Sequence, residues 1–313
     1  MDSQELVERL LAGERRALAR LLTRVEDGSE TSLRELMRLL HPHTGKGQLV
    51  GMTGSPGVGK STVTNALVAH WRTQHRRVAV LAVDPSSPFS GGALLGDRVR
   101  MQDHALDEGV FVRSMATRGH LGGLAWATPH ALTVLDAAGF DVIVVETVGV
   151  GQAEVEVASV ADTTVVALAP GMGDAVQAAK AGILEVADVF CVNKADHRGA
   201  GRAVRELREM QQLGHGDWLA PVVTTVATTG QGIGELAAAI DGHYAWLEEG
   251  DRLDERRLAR ARQQLRELAL GVVRGRFAAL GDGALADALA RQVADRAIDP
   301  YRAADELVAG LGR

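Results

Sequence analysis

One cysteine, Cys191, serves a chain of 313 residues, so an intrachain disulfide is excluded and a Cys-x-x-Cys metal clasp cannot be built. No His-rich tract takes its place. His41-Pro42-His43 has neither cysteine nor carboxylate beside it and reads as solvated linker, not a metal site. No apolar run approaches the ~18 residues that a membrane-spanning helix requires. The start, Met1-Asp2-Ser3-Gln4-Glu5, carries acid where a leader peptide carries Arg or an apolar core. Together these absences predict a cytoplasmic protein with no membrane partner. Basic residues are also in deficit: 34 Lys plus Arg stand against 40 Asp plus Glu, a formal charge of −6 with no long basic block. No nucleic-acid partner is expected. What is present is a 46% hydrophobic chain, long enough for one large domain with appendages.

The densest signal is Gly54-Ser55-Pro56-Gly57-Val58-Gly59-Lys60-Ser61-Thr62, which spells G-x-x-x-x-G-K-[ST] after an apolar run of strand type and before a helical stretch. Glycines let such a loop turn its backbone N–H groups toward phosphate oxygens, and the dipole of the helix opening near Lys60 adds positive potential. Lys60 is placed to reach the β- and γ-phosphates, and the Ser61 hydroxyl to ligate the magnesium ion that bridges them.

The base is read elsewhere. Asn193-Lys194-Ala195-Asp196 follows the short apolar run Val189 to Val192, so it leaves the carboxyl end of a buried strand, where open α/β sheets bind ligands. A carboxylate accepts only, and Asp196 can take both the ring N–H and the exocyclic amine of guanine, a donor pair adenine lacks. GTP or GDP is therefore expected. A third strand, Val142 to Val145, ends in Glu146-Thr147-Val148-Gly149. Most GTPases carry Asp where this chain has Glu146; an acid there can hold magnesium, usually through water, and the Gly149 N–H can sense the γ-phosphate. The strand 78–83 delivers Asp84 to the same edge, and Asp97 follows thirteen residues later.

The pattern predicts a three-layer α/β P-loop fold with a mostly parallel sheet, its strands near 48–53, 78–83, 110–113, 142–146, 163–169, 188–193 and 221–226. Residues 46–248 form the nucleotide-binding domain in this reading. Residues 1–45 form a helical extension whose leucines recur at helical spacing, more core than partner face, and 249–313 form a second helical segment. There Leu258, Ala261, Leu265, Leu268 and Val272 alternate by three and four, a stripe that suits either a coiled coil or a docked helix. Helices are expected over 284–298 and 300–311, with Pro300 at a first helical position. Cys191 is expected as a small buried thiol.

These residues closely resemble the MeaB/ArgK family of P-loop GTPases of the SIMIBI class, the methylmalonyl-CoA mutase-associated GTPases. The resemblance covers most of the chain. Besides the P-loop it rests on Asp84 to Met101, Arg118 to Gly123, Glu146 to Gln152, Pro170 to Asp174, Asn193 to Asp196, and Gly13 to Arg20. It implies a GTPase that hydrolyses GTP to GDP and phosphate while assisting adenosylcobalamin loading and protection of a cobalamin-dependent acyl-CoA mutase. It also implies a homodimer held by the C-terminal segment. By the same resemblance Lys60, Asp84, Asp97 and Glu146 are catalytic, and Ser61, Asp97 and Glu146 hold the metal. Asn193, Lys194 and Asp196 read guanine, and the loop 170–180 is a switch facing the partner.

One motif departs from the family. Val226-Ala227-Thr228-Thr229-Gly230-Gln231-Gly232 has Val where the pattern Ser-Ala-x-x-Gly-x-Gly has a bracing hydroxyl. The Ala227 N–H can still meet the base, with modestly lower affinity. No Gln matches the water-orienting residue of signalling GTPases; Gln152 is a positional candidate, and slow intrinsic turnover is expected. A nickel-insertion metallochaperone and a P-loop kinase are the alternatives. The first lacks Cys-x-x-Cys and His-rich tracts, the second an H-R-D catalytic loop.

Overall fold

The computed structural model describes residues 2–84, 104, 106–116, 127–147, 153–171, 186–211, 217–281 and 284–309. The chain divides into two compact units, Met1–Leu253 and Asp254–Arg313.

The first unit opens with three helices, α1 (Ser3–Leu11), α2 (Arg15–Asp27) and α3 (Glu30–Leu40). Asp2 and Ser29 cap the first and third through side-chain oxygens, satisfying backbone N–H groups with no intrahelical partner. Leu6, Leu10, Leu18, Leu21, Leu22, Leu36 and Leu40 are all buried, so this stripe is core. His41, Pro42 and His43 form one exposed 3-10 turn. Backbone N–H groups of Gly45, Lys46 and Gly47 then donate to the Asp136 carboxylate at 2.6, 3.2 and 2.9 Å, which fixes the entry into the sheet.

The sheet follows: β1 (Gln48–Thr53), α4 (Lys60–Thr73), β2 (Val78–Asp84), β3 (Val110–Ala116), α5 (Thr128–Ala137), β4 (Val142–Thr147), α6 (Ala153–Val160) and β5 (Thr163–Leu168). It ends with β6 (Val189–Val192), α7 (Ala200–Gln211), β7 (Val222–Thr224) and α8 (Ile233–Glu248). The strands lie in the order β3-β2-β4-β1-β5-β6-β7, and every pairing is parallel. Alternation along the strands sorts the two faces. Ala79, Leu81, Val83, Ile143 and Val145 pack with α5, α6 and the N-terminal helices. Val78, Val80, Val142, Val144, Val50 and Met52 pack with Leu67, Trp71, Leu236 and Ile240 of α4 and α8. A sheet covered on both faces explains why its strands read as continuous Val-rich runs.

At the amino edge of the sheet, buried His243 of α8 places Nδ1 2.9 Å from Thr163 Oγ1 and Nε2 3.3 Å from Asp188 Oδ1. Trp218 Nε1 donates to the Asp188 carbonyl at 2.7 Å. These contacts anchor α8 to the starts of β5 and β6.

The second unit holds α9 (Arg252–Gly281, which begins at the junction), α10 (Ala284–Ala294) and α11 (Pro300–Ala309). Pro300 opens α11, and Asp299 Oδ1 accepts from the Tyr301 and Arg302 N–H groups at 2.9 and 3.1 Å. Leu258, Leu265 and Leu268 are exposed along α9. Among the described residues no helix is long and apolar enough to cross a membrane.

Candidate functional site

Four chain segments converge at the carboxyl edge of the sheet: the loop after β1, the end of β4, the exit of β6 and the turn after β7. The loop after β1 is held by conformations that L side chains rarely adopt. Gly54 has φ +132°, and a Cβ there would stand 2.1 Å from the Ala167 carbonyl oxygen of β5; Gly59, φ +95°, would set one 2.6 Å from Asn193 Nδ2. Both neighbours are fixed, so glycine is required at these two positions. Gly59 also caps α4, and Lys60, Ser61 and Thr62 form its first turn. Val58 is fully buried under the loop. Ser55 is half-buried, and Pro56 and Gly57 are exposed at the tip.

Lys60 is 7% exposed. Its ammonium donates to the Gly54 carbonyl at 2.6 Å and to that of Ser55 at 3.2 Å, so a full positive charge stands within the loop at the positive end of α4. The neighbouring Ser61 hydroxyl donates to Glu146 Oε1 at 2.5 Å, and both residues are buried. Behind them the Thr147 and Thr53 hydroxyls lie 3.4 Å apart. A serine hydroxyl and a glutamate carboxylate in contact are hard oxygen donors of the kind magnesium takes alongside phosphate oxygens; the pair fits that ion. The registers Met52↔Glu146 and Ala82↔Glu146 show how it arises: β4 lies between β1 and β2, and its last residues reach the first turn of α4.

Asn193 ties the other segments together. It is 3% exposed. Its Nδ2 donates to the Val58 carbonyl at 2.9 Å, and its Oδ1 accepts from Thr225 Oγ1 at 3.1 Å and from the Ala227 N–H at 3.2 Å. Lys194, with φ +56°, donates from Nζ to the Gly57 carbonyl at 2.7 Å. Asp196 lies two residues beyond, its side chain 56% exposed. Sequence reasoning treated Val226 as the loss of a bracing hydroxyl, but the brace is present one residue earlier, on Thr225. The same hydroxyl lies 3.3 Å from Cys191 Sγ. Cys191 is fully buried, and burial pushes its thiol up to about 11.

The structure therefore brings together Lys60, Ser61, Glu146, Asn193, Lys194 and Ala227. Asp84 closes β2 in register with Ala116. Its side chain, and Asp97, Gly149 and Gln152, lie outside the described residues, as do most of the loops 85–101, 147–157 and 170–180. Among the described residues no group of three or more His, Cys, Asp or Glu is arranged to hold a metal. The motif reading missed the amide of Asn193 as a fastener, because side-chain bonds to backbone carbonyls leave no spacing pattern.

Comparison with known proteins agrees with this geometry. The sequence profile described as methylmalonyl Co-A mutase-associated GTPase MeaB matches residues 18–281. A Pyrococcus abyssi protein described as a candidate GTPase is 48% identical over 312 residues, 97% of this chain and 95% of its own. The GTPase ArgK of Escherichia coli is 37% identical over 273 residues, covering 84% and 82% of the two chains. The crystal structure of an LAO/AO transport system kinase superposes with a TM-score of 0.74 at 27% identity, over 99% of this chain and 98% of that one.

Proposed function

The chain belongs to the MeaB family of methylmalonyl-CoA mutase-associated GTPases, and on that premise we propose that it uses a GTP cycle to escort an adenosylcobalamin-dependent acyl-CoA mutase, with methylmalonyl-CoA mutase as the first client to test. The observation that carries the chemistry is the Ser61–Glu146 contact of 2.5 Å beside Lys60. The loop amides and the Lys60 ammonium surround the phosphates and meet the charge that develops on the γ-phosphoryl oxygens as water attacks. Ser61 and Glu146, joined by Asp97, are the residues for magnesium, which when bound neutralises charge shared between the β- and γ-phosphates. Asp84 completes the acidic cluster around the attacking water, and the Gly149 N–H senses the γ-phosphate.

Asp196 accepts the guanine donors, while Asn193 and Ala227 hold the base loop against the phosphate loop. Bound nucleotide sets the state of the loops 85–101, 147–157 and 170–180, and the mutase reads that state. The exposed Leu258, Leu265 and Leu268 on α9 support a homodimer formed through residues 249–313.

The test is mantGDP binding and GTP turnover, with and without the mutase, for the native chain and Asp196→Asn. Guanine-specific binding that D196N converts to a xanthine preference, with turnover and mutase affinity that depend on each other, is the expected result. Indifference of mutase affinity and cofactor transfer to GTP versus GDP overturns the escort role. Phosphate arriving on a protein or small acceptor instead of in solution would point to a kinase, and stoichiometric nickel binding to a metallochaperone.

A further inference from the structure

The feature the nucleotide chemistry leaves unused is a cavity of about 560 Å³ at the opposite, amino edge of the sheet, bounded by α1, α2, the end of α4 and the starts of β2 and β3. It is about one α4 length, roughly 20 Å, from Lys60. Its floor is apolar: Leu10, Leu18, Val110, Phe111 and Phe140 line it and are each at least nine-tenths buried. The two phenylalanine rings stand 6.2 Å apart at 46°. Its rim is cationic. The Arg15 guanidinium lies over the Phe111 ring at 5.9 Å, and that of Arg77 over the Phe140 ring at 4.9 Å. Both arginines are exposed.

Other arginines in the neighbourhood are already balanced. Arg72 makes a two-point contact with Asp107 at 2.8 and 2.9 Å, and that contact holds the Asp107 carboxyl below its usual range. Glu14 is taken by Arg9 at 2.9 Å. Arg15 and Arg77 instead donate to backbone carbonyls, of Asp107 and of Ala138 and Gly139, and among the described residues neither pairs with a carboxylate. Glu108 is the acid left on the rim. Two guanidiniums stacked on aromatic rings keep planar N–H groups free for a bidentate acceptor, over a floor that rewards an apolar body. A cavity of this size, with a buried apolar floor under a rim of charged and polar groups that includes Glu14, Arg15, Arg72, His75, Arg77 and Glu108, suits a small molecule that is itself part polar and part apolar.

The geometry points to a binding site for a small amphipathic carboxylate, its carboxylate between Arg15 and Arg77 and its hydrocarbon portion on Phe111 and Phe140. This is independent of the nucleotide reading: it uses no residue of the phosphate or base loops.

The experiment is calorimetric titration of the full chain with octanoate, octanamide and inorganic phosphate, repeated for Arg15→Gln and Arg77→Gln. Arg15 is exposed and its contacts with the Phe111 ring and the Asp107 carbonyl are long, 5.9 and 3.4 Å, so R15Q tests the site even if R77Q folds poorly through loss of its bonds to Ala138 and Gly139. Octanoate should bind one to one. Octanamide should bind about tenfold more weakly, and R15Q should cost octanoate a similar factor, the scale of one charge-assisted contact. mantGDP affinity should be unchanged in R15Q. No octanoate binding up to about 10 mM overturns the proposal. So does equal binding of octanoate and octanamide, binding that survives R15Q undiminished, or octanoate held no tighter than inorganic phosphate.

Discussion

Replacing Asn193 by Ala removes three hydrogen bonds from one buried side chain, and the structure allows the cost to be worked out group by group. The Thr225 hydroxyl keeps a neighbour, since it can turn to Cys191 Sγ at 3.3 Å. The Val58 carbonyl, at a residue with no exposure, and the Ala227 N–H, at a residue 8% exposed, lose the partner Asn193 supplied. Each buried main-chain group left unsatisfied costs about 1–3 kcal/mol, so N193A should lower unfolding stability by about 2–6 kcal/mol. All four tryptophans, at 71, 126, 218 and 246, fall within the first unit. Tryptophan fluorescence during guanidinium titration therefore reports on that unit. Asn193→Asp keeps the two acceptor bonds but sets a carboxylate against the Val58 carbonyl, so it should destabilise while leaving the turn after β7 braced. Because the same amide joins the phosphate loop to the base-reading strand exit, mantGDP affinity should fall about tenfold or more in N193A, equivalent to about 1.4 kcal/mol. A stability change under about 0.5 kcal/mol, with mantGDP binding intact, would refute the idea that this side chain fastens the site.

Three further outcomes are expected. Cys191, raised to about 11 from an ordinary 9.0, binds its proton more tightly in the folded chain; its stabilising contribution is complete below pH 9 and fades between 9 and 11, by about 2–3 kcal/mol in all. Cys191→Ser should flatten that part of the stability–pH curve, and iodoacetamide should label native Cys191 only as fast as the chain opens. Gly54→Ala forces a Cβ to 2.1 Å from the Ala167 oxygen, backbone against backbone, and should cost about 3 kcal/mol or more and abolish nucleotide binding, as read by thermal melting and mantGDP titration. Glu26→Gln weakens the 2.5 Å contact with Arg113, whose partners are 17% and 22% exposed. A loss of about 1 kcal/mol in guanidinium titration is expected, and a neutral result would mean that the charge on Glu26 adds nothing to the hold of α2 on β3.

The strands were legible because a sheet covered on both faces writes itself as apolar runs between turn residues. Where boundaries moved, a tertiary contact or a local turn was the reason. β3 reaches Ala116 instead of stopping at Arg113 because β2 runs beside it to Asp84 and Arg113 finds Glu26. Helix α10 ends at Ala294, short of residue 298, where the chain turns through Arg296 at φ +59°. The phosphate loop and Asn193-Lys194-x-Asp196 could be read from spacing, since both are local. The Ser61–Glu146 contact and the bracing by Thr225 could not, because they depend on strand order, and the cavity beside Phe111 and Phe140 is assembled from four separate stretches of chain, 10–18, 72–77, 108–111 and 138–140.

The strand order also dictates when the protein can form as it is made. β1, carrying the phosphate loop, lies between β4 and β5, whose residues begin at Val142 and Thr163. At ribosomal rates of about 5–20 residues per second, β1 waits roughly 5–20 s for its second neighbour. During that interval Val50 and Met52, which end fully buried, have only one side of their future sheet or none. A nascent chain arrested before β5 should be captured by holding chaperones and remain unable to bind nucleotide, while one arrested far enough beyond α8 for that helix to clear the exit tunnel should bind mantGDP before the C-terminal helices have emerged.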